Sequence, residues 1–519
     1  KLRKVLFTSE FLAKEAQELE DKFQLEIPNN SEFGDYASNI AFLLAKYLKK
    51  SPKLIAEEIS QFYSEKEDLN SVYSFIPTNG FINIKLSDQL IWQEFTNINT
   101  KKTQFPITKD KILLEFVSAN PTGPLHIGHG RWAAVGDVLR ILLEYTGQNV
   151  KTEFYVNDAG NQIQNLRASI KAVQNETPIP EDGYHGAYIR DLAKIAGDPV
   201  DIMKKQQEKT LKKFGVVFDK WFSETELHAE DEMKKAIKIL DAEGLVYESE
   251  KALWFRSTNF GDEKDRVLIK ADGNYTYFAV DIAYHLDKIE RGFTKLINIW
   301  GADHHGYVQR VKSAVKAVSK YKFDVDNNFN VIIGQLVSLF RGGELVKMSK
   351  RTGEMITLEE VIEEIGKDAA RFFLVHKSTD TRLDFDLELA KKKSAENPVY
   401  YIQYSHARIC SIFKKIGIKP EEIKLPVGPV ELDINERNLV LTSGKIFDEV
   451  YEAAIFQAPY KFANYTLELA KAFHNFYERC SIMKADDKNK LKRLFIIREF
   501  QMILKTALNI LGISAPEQM

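Results

Sequence analysis

The chain has 519 residues, 28% of them charged, and a formal net charge of -2 at pH 7. That length allows three or four domains with full-sized cores. The balanced charge gives no support to nucleic-acid binding by the whole surface, although a local basic patch would suffice. Two cysteines, Cys410 and Cys480, are too few for a disulfide framework and lack paired metal-ligand spacing, which predicts a reducing compartment. No apolar stretch reaches the roughly 18 residues of a membrane span, and no signal-like core follows Lys1, so a soluble cytoplasmic protein is expected.

Residues 1–95 mix helical periods at 42–48 and 55–62 with short strands. The last of these, Gly80-Phe81-Ile82-Asn83-Ile84-Lys85-Leu86, alternates like a half-buried strand. A separate α+β unit is predicted there. A stretch poor in apolar residues, 97–111, leads into the apolar run 112–116, which contains Glu115. Then come Pro124-Leu125-His126-Ile127-Gly128-His129 and a helical pattern over 132–145. Strands and helices alternate as far as residue 385, with strands expected at 150–157, 295–301 and 331–340, the pattern of a parallel sheet covered by helices. Beyond Asp386 helical periods dominate and predict an α-bundle. There a helix should begin at Pro398, with Ile402, Ile409, Phe413 and Ile416 as its core stripe.

Two segments carry chemistry. Pro124 to His129 lies on a strand-to-helix corner, where the first helical turn offers unpaired N–H groups and the positive end of the dipole to an anion. Gly128 removes a side chain between two imidazoles, so a flat base or a phosphate can approach the backbone. The second segment, Leu345-Val346-Lys347-Met348-Ser349-Lys350-Arg351, puts two ammonium groups on a loop. It follows a Gly342-Gly343 turn and precedes Thr357-Leu358-Glu359-Glu360, a capping box, so a mobile hinge fixed to a firm helix start is expected. Taken singly, each has a bland reading as solvated histidines or a solvated lysine-rich loop. In this order and at this distance they resemble the HIGH and KMSKS signatures of class I aminoacyl-tRNA synthetases. Arg351 replaces the usual final serine, while both lysines are intact.

The resemblance narrows to the arginyl-tRNA synthetase family through several further segments. They are Glu115-Phe116-Val117-Ser118-Ala119-Asn120-Pro121, Tyr155-Val156-Asn157-Asp158-Ala159-Gly160, Tyr277-Phe278-Ala279-Val280-Asp281, Trp300-Gly301-Ala302-Asp303-His304-His305-Gly306 and the closing Leu511-Gly512-Ile513-Ser514-Ala515-Pro516-Glu517-Gln518-Met519. Membership would imply ATP-dependent attachment of L-arginine to its tRNA through an arginyl-adenylate, releasing AMP and pyrophosphate, usually with tRNA needed even for the first step. It would make His126, His129, Lys347 and Lys350 the catalytic donors to the phosphates. It would place the nucleotide against His126, Gly128, His129, His304, Met348 and Lys350, and arginine against Glu115, Ser118, Asn120, Tyr277, Asp281 and Asp303.

Chemistry independent of the resemblance fits an arginine site, because a planar, permanently charged guanidinium needs fixed carboxylates. Glu115 on an apolar strand would be costly to bury without a cation, and Tyr277 and Asp281, four apart, share a helix face. Alternatively, Glu115 pairs with an internal Arg or Lys, and Asp281 is solvated with Tyr277 in the core. Asp303-His304-His305 lacks a third metal ligand, so neither zinc nor any dedicated metal site is expected; Mg2+ would enter as the ATP complex. Tyr401, Tyr404 and Arg408 lie off the core stripe and would suit stacking on unpaired bases, or simply packing between helices. The resemblance favours anticodon binding, and it matches Phe81 and Asn83 to positions that contact the tRNA D-loop. A monomer without membrane partners is expected.

The fold class expected is multidomain α/β. An N-terminal α+β tRNA-contacting domain occupies 1–95, a doubly wound Rossmann-like (HUP-type) catalytic core with small insertions 110–385, and an all-α anticodon-binding bundle 386–519. Two rivals stand against this reading. A small-molecule nucleotidyltransferase would have no use for so large a helical domain, and a non-catalytic RNA-binding relative would have lost the phosphate ligands.

Overall fold

The computed structural model describes residues 25–26, 28, 33–99, 105–106, 108–229, 231–320, 322–346 and 356–519. Lys347, Met348, Lys350 and Arg351 lie outside the described residues, and with them the expected loop mobility.

Five strands form a wholly parallel sheet in the spatial order Phe329–Gly334, Lys295–Gly301, Lys111–Glu115, Asn149–Val156, Lys220–Ser223. The chain starts in the middle strand, winds outward to one side and then to the other, which is the doubly wound arrangement. Its direction reverses between Lys111–Glu115 and Lys295–Gly301, where Asn298 stands opposite Glu115. A crevice opens at the carboxyl ends of the strands at such a switch point. Ile112, Leu113, Leu114, Leu296, Ile297 and Ile299 are all buried, as expected for strands covered on both faces, which therefore read as apolar runs rather than alternations.

The segment 331–340, expected as one strand, is two. Phe329–Gly334 belongs to the parallel sheet, whereas Val337–Arg341 pairs with Glu344–Leu345 and Leu383–Asp386 in a second sheet. The apolar pattern runs through the break without a signal, because the cause is tertiary. The indole of Trp132 lies on Gly334, where a Cβ would fall 1.9 Å from the ring, and buried Arg131 takes the carbonyl of Gln335 at 2.9 Å. This compact unit comprises residues 103–416, 446–471 and 503–519. Helix Pro398–Ile416 begins where expected and buries Ile402, Ile409 and Phe413.

The other unit comprises 1–102, 417–445 and 472–502. Its antiparallel sheet runs Leu25–Glu26, Tyr36–Ser38, Phe81–Leu86, Tyr73–Thr78. Helices Ile40–Leu48 and Pro52–Ser64 cover one face around Ile55, Ile59, Tyr63, Phe75, Ile82 and Ile84. Arg437, on helix Ile434–Gly444, binds the carboxylate of Asp35 through both terminal nitrogens at 2.5 and 2.6 Å and reaches Asp88 at 3.1 Å. Part of the C-terminal helical region thus completes the N-terminal α+β fold. The fold class is multidomain α/β, with a doubly wound parallel core, an N-terminal α+β domain and a C-terminal helical domain.

Candidate active site

Helix Ile127–Tyr145 starts directly above the middle strand, and His126 is its N-cap. The His126 Nδ1 accepts from the N–H groups of Gly128 at 3.1 Å and His129 at 3.4 Å, while the His129 Nδ1 accepts from the His126 N–H at 3.2 Å. Two imidazoles therefore build the reciprocal cap that Ser and Glu usually make. Their rings stack 3.6 Å apart. Because both Nδ1 atoms accept, each neutral ring carries its proton on Nε2, giving donors suited to phosphate oxygens at the positive end of the helix. A Cβ on Gly128 would lie 2.9 Å from the His126 ring, so the cap itself requires glycine.

The segments flanking the second signature are tied down. Upstream, the hairpin turns through Gly342 (φ 60°) and Gly343 (φ 84°), and the Val346 N–H donates to the Leu339 carbonyl at 2.8 Å. Downstream, the expected capping box is present: the Glu360 N–H donates to Thr357 Oγ1 at 3.1 Å, and the Thr357 N–H to Glu360 Oε2 at 2.7 Å. Leu358 N–H donates to the Leu125 carbonyl at 2.7 Å, which ties the start of helix Leu358–Ile365 to the first signature.

A cavity of about 1190 Å³ lies at the switch point. It is lined by Glu115, Ser118, Asn120, His126, Gly128, His129, Tyr277, Asp281, Asp303 and His304, so every expected ATP and arginine residue within the described chain borders one space. Tyr277 is 67% exposed, not in the core, and Asp281 follows it one turn deeper on helix Tyr277–Glu290. Asp303 and His304 stand on the turn Ala302–Tyr307, with His304 Nε2 3.5 Å from the Asp303 carboxylate. Asn120 donates to Gln162 at 2.6 Å.

The buried acids in this cavity's wall and directly behind it fall into two classes. Glu115 is 5% exposed and meets the internal cation that the sequence left open: Lys288 Nζ donates to its Oε2 at 2.5 Å. Glu153, fully buried, accepts both terminal nitrogens of Arg291, at 2.6 and 2.9 Å. Asp281 and Glu224 have no Lys or Arg ion pair among the described residues. Tyr307 donates to Asp281, Tyr155 donates to Glu224 at 2.8 Å, and His228 approaches Glu224 at 3.7 Å. Burial, reinforced by neighbouring Glu115 and Glu224, pushes the Asp281 carboxyl up to about 7. Burial also raises Glu224. Two carboxylates in such a wall are matched to a cation supplied from outside.

Sequence reasoning missed Glu224, Tyr155, Tyr307 and Lys288 as site residues. Tyr155 and Tyr307 belong to or follow the recognised segments. Glu224 follows strand Lys220–Ser223, the carboxyl end of a core strand, and locating that strand would have flagged it. Elsewhere, Phe81 is exposed and packs edge-on against Phe42, whereas Asn83 is buried and donates to Thr78 at 3.1 Å. Tyr404 stacks on Tyr400, and Tyr401, Tyr404 and Arg408 are half-buried on helix Pro398–Ile416.

Comparison with known proteins agrees along the whole chain. Residues 5–86 match the arginyl tRNA synthetase N terminal domain, 94–185 and 185–413 the class I (R) tRNA synthetase catalytic domain, and 402–519 the DALR anticodon binding domain. The arginine–tRNA ligase of Shouchella clausii is 43% identical, with 95% of this chain and 94% of that protein covered. The one from Heliobacterium modesticaldum is 42% identical, with 96% and 94% covered. The fold is that of the Thermus thermophilus arginyl-tRNA synthetase (TM-score 0.78, 21% identity, 100% of both chains) and of the Plasmodium falciparum enzyme (0.74, 20%, 96% and 95%). The chain belongs to the arginyl-tRNA synthetase family.

Proposed function

We infer that the protein attaches L-arginine to its tRNA at the expense of ATP. The observation that carries the arginine assignment is the contrast among four acids: Glu115 and Glu153 are neutralised by Lys288 and Arg291, whereas Asp281 and Glu224 have no Lys or Arg partner among the described residues and resist ionisation until a cation such as a guanidinium arrives. In the first step the arginine carboxylate attacks the α-phosphate in line. An O–P bond forms and the bond to pyrophosphate breaks, which asks the protein mainly for alignment and charge neutralisation. His126 and His129 donate from Nε2 to phosphate oxygens, and Lys347 and Lys350 meet the charge that shifts toward pyrophosphate. Met348, Gly128 and His304 border the nucleotide. Ser118, Asn120 and Asp303 hold the backbone groups of arginine, with Tyr277 at the rim beside Asp281.

Mg2+ enters with ATP. The groups nearest the first signature are imidazoles, which suit phosphate oxygens and leave a hard cation to the oxygens of the nucleotide. No zinc is required by this chemistry. In the second step a ribose hydroxyl of the terminal adenosine attacks the arginyl carbonyl, and AMP leaves. We assign tRNA contact to 1–95, chiefly Phe81 with Asn83 behind it, and to 386–519 through Tyr401, Tyr404 and Arg408. The chemistry is assigned to 110–385. A cytoplasmic monomer accords with this reading. The deciding experiment is ATP-dependent charging of total tRNA with each amino acid in turn. Arginine alone should be charged; efficient charging of another amino acid in its place would refute the assignment.

A further inference from the structure

We propose that Lys288 is a positioning residue for arginine, a buried ammonium that fixes two walls of the amino-acid site at once. The proposal rests on the reading of the cavity as the arginine site. Lys288 is 0% exposed and lies 4.2 Å from the ring centroid of Tyr284. Two hydrogen-bond chains leave it.

The first runs to the sheet side. Lys288 Nζ donates to Glu115 Oε2 at 2.5 Å, Ser118 Oγ donates to Glu115 Oε1 at 2.9 Å, and the Tyr155 N–H donates to Ser118 Oγ at 3.2 Å. The backbone held this way is strained. Val117 has φ 72° and Ser118 φ 43°, left-handed values that a β-branched residue adopts only when its surroundings over-determine them. Both residues line the cavity. The second chain runs to the helix side. Lys288 donates to Asn298 Oδ1 at 3.3 Å, so the Asn298 amide nitrogen faces His285 Nε2 at 3.1 Å, and the His285 Nδ1–H donates to the Asp281 carbonyl at 2.8 Å. Burial and the Lys288 charge hold His285 neutral, as that direction requires. One ammonium thus sets both the corner carrying Ser118 and the turn carrying Asp281. An apolar side chain of equal volume would be cheaper to bury, which points to a positional use for the charge.

A mere counter-charge makes the opposite prediction. Removing it would free Glu115 as a third acid near the guanidinium, and arginine would bind more tightly. Charging kinetics on the full chain, with arginine and ATP varied separately at saturating tRNA, decide between them. For Lys288→Met we expect arginine kcat/KM to fall about 100-fold, the scale of a small misplacement, with the KM for ATP little changed. Ser118→Ala should weaken arginine use by itself, yet Lys288→Met/Ser118→Ala should be no worse than Lys288→Met, because the two act in one chain. Lys288→Met/Glu115→Leu removes both members of the buried pair together and strands neither, so it should keep its thermal midpoint while remaining defective toward arginine. Unchanged or improved arginine use in Lys288→Met, normal arginine use in Lys288→Met/Glu115→Leu, or multiplying losses with Ser118→Ala would overturn the proposal. A wild-type protein that charges no arginine would overturn the functional reading and the proposal with it. With the wild type active, only the positioning role is at stake.

Discussion

The ionisation of Asp281 makes arginine use depend on pH in a range where an ordinary surface carboxylate is already fully ionised. Its carboxyl sits at about 7, raised by burial and by two neighbouring acids. Arginine stays charged throughout this range and recruits the ionised form. That form is about one part in eleven at pH 6 and ten in eleven at pH 8, so the apparent arginine KM should fall about tenfold between them, by the fraction competent to bind. Asp281→Asn should flatten this profile. It should also lower arginine kcat/KM, since truncating one side of a buried charge pair costs roughly 2 to 5 kcal/mol, or about 30-fold to several thousand-fold. The ATP KM should barely move, and discrimination against citrulline, the neutral isostere, should weaken. Stability has the opposite sign. Burial opposes ionisation in the folded protein, so stability falls as pH rises from the ordinary carboxylate range through about 7. At pH 8 the arginine-free Asp281→Asn protein should therefore melt above wild type. A wild-type arginine KM that is constant from pH 6 to 8, or an identical profile in Asp281→Asn, would refute the reasoning.

Lys350→Ala should reduce the rate of arginine activation far more than it weakens arginine binding, by on the order of 100-fold to 1000-fold, measured by single-turnover adenylate formation; a change confined to the ATP KM would exclude a transition-state role. Gly334→Ala must displace the Trp132 indole, since the added Cβ falls 1.9 Å from the ring, and should cost about 1 to 3 kcal/mol in denaturant unfolding together with a raised KM for ATP. Arg437→Ala strands Asp35, which is 6% exposed, and should destabilise the unit made of 1–102, 417–445 and 472–502 by about 3 to 5 kcal/mol, read as an early transition in hydrogen exchange or melting. Tyr404→Ala should raise the tRNA KM by about 5-fold to 150-fold if a base stacks there, at roughly 1 to 3 kcal/mol per base, with arginine and ATP KM values unchanged.

Much of the core was legible because its signals are local. The strand-to-helix corner at His126, the capping box at Thr357 and the first helical position of Pro398 each depend on a few adjacent residues, and each stands where the spacing puts it. Features that depend on partners far along the chain were not legible. The break at Gln335 comes from Trp132 and Arg131 on the signature helix, and nothing in the apolar run 331–340 marks it. Asn83 breaks the alternation of its strand because Thr78 across the hairpin satisfies its amide and lets it be buried. The joining of 417–445 to the N-terminal sheet rests on Arg437 finding Asp35, a contact between residues hundreds of positions apart. Glu115 shows the limit at the site itself. Sequence says that a buried acid needs a cation, but only the fold shows that helix Tyr277–Glu290 supplies one from Lys288 while presenting Asp281 a turn and more earlier.

That shared helix is why selectivity and stability pull against each other here. The unsolicited cost of an uncompensated acid could be removed by giving Asp281 a lysine partner, as Glu115 has, and the arginine-free protein would gain stability. The same lysine would then compete with the substrate's guanidinium for a charge that distinguishes arginine from a neutral isostere. Neutralising Glu115 and Glu153 with Lys288 and Arg291 while leaving Asp281 and Glu224 without a Lys or Arg partner among the described residues keeps that cost to two groups and places it where arginine relieves it. Arginine should therefore stabilise the wild-type protein against heat more at pH 8 than at pH 6. In Asp281→Asn most of that difference between the two pH values should vanish, since the group that titrates between them is gone.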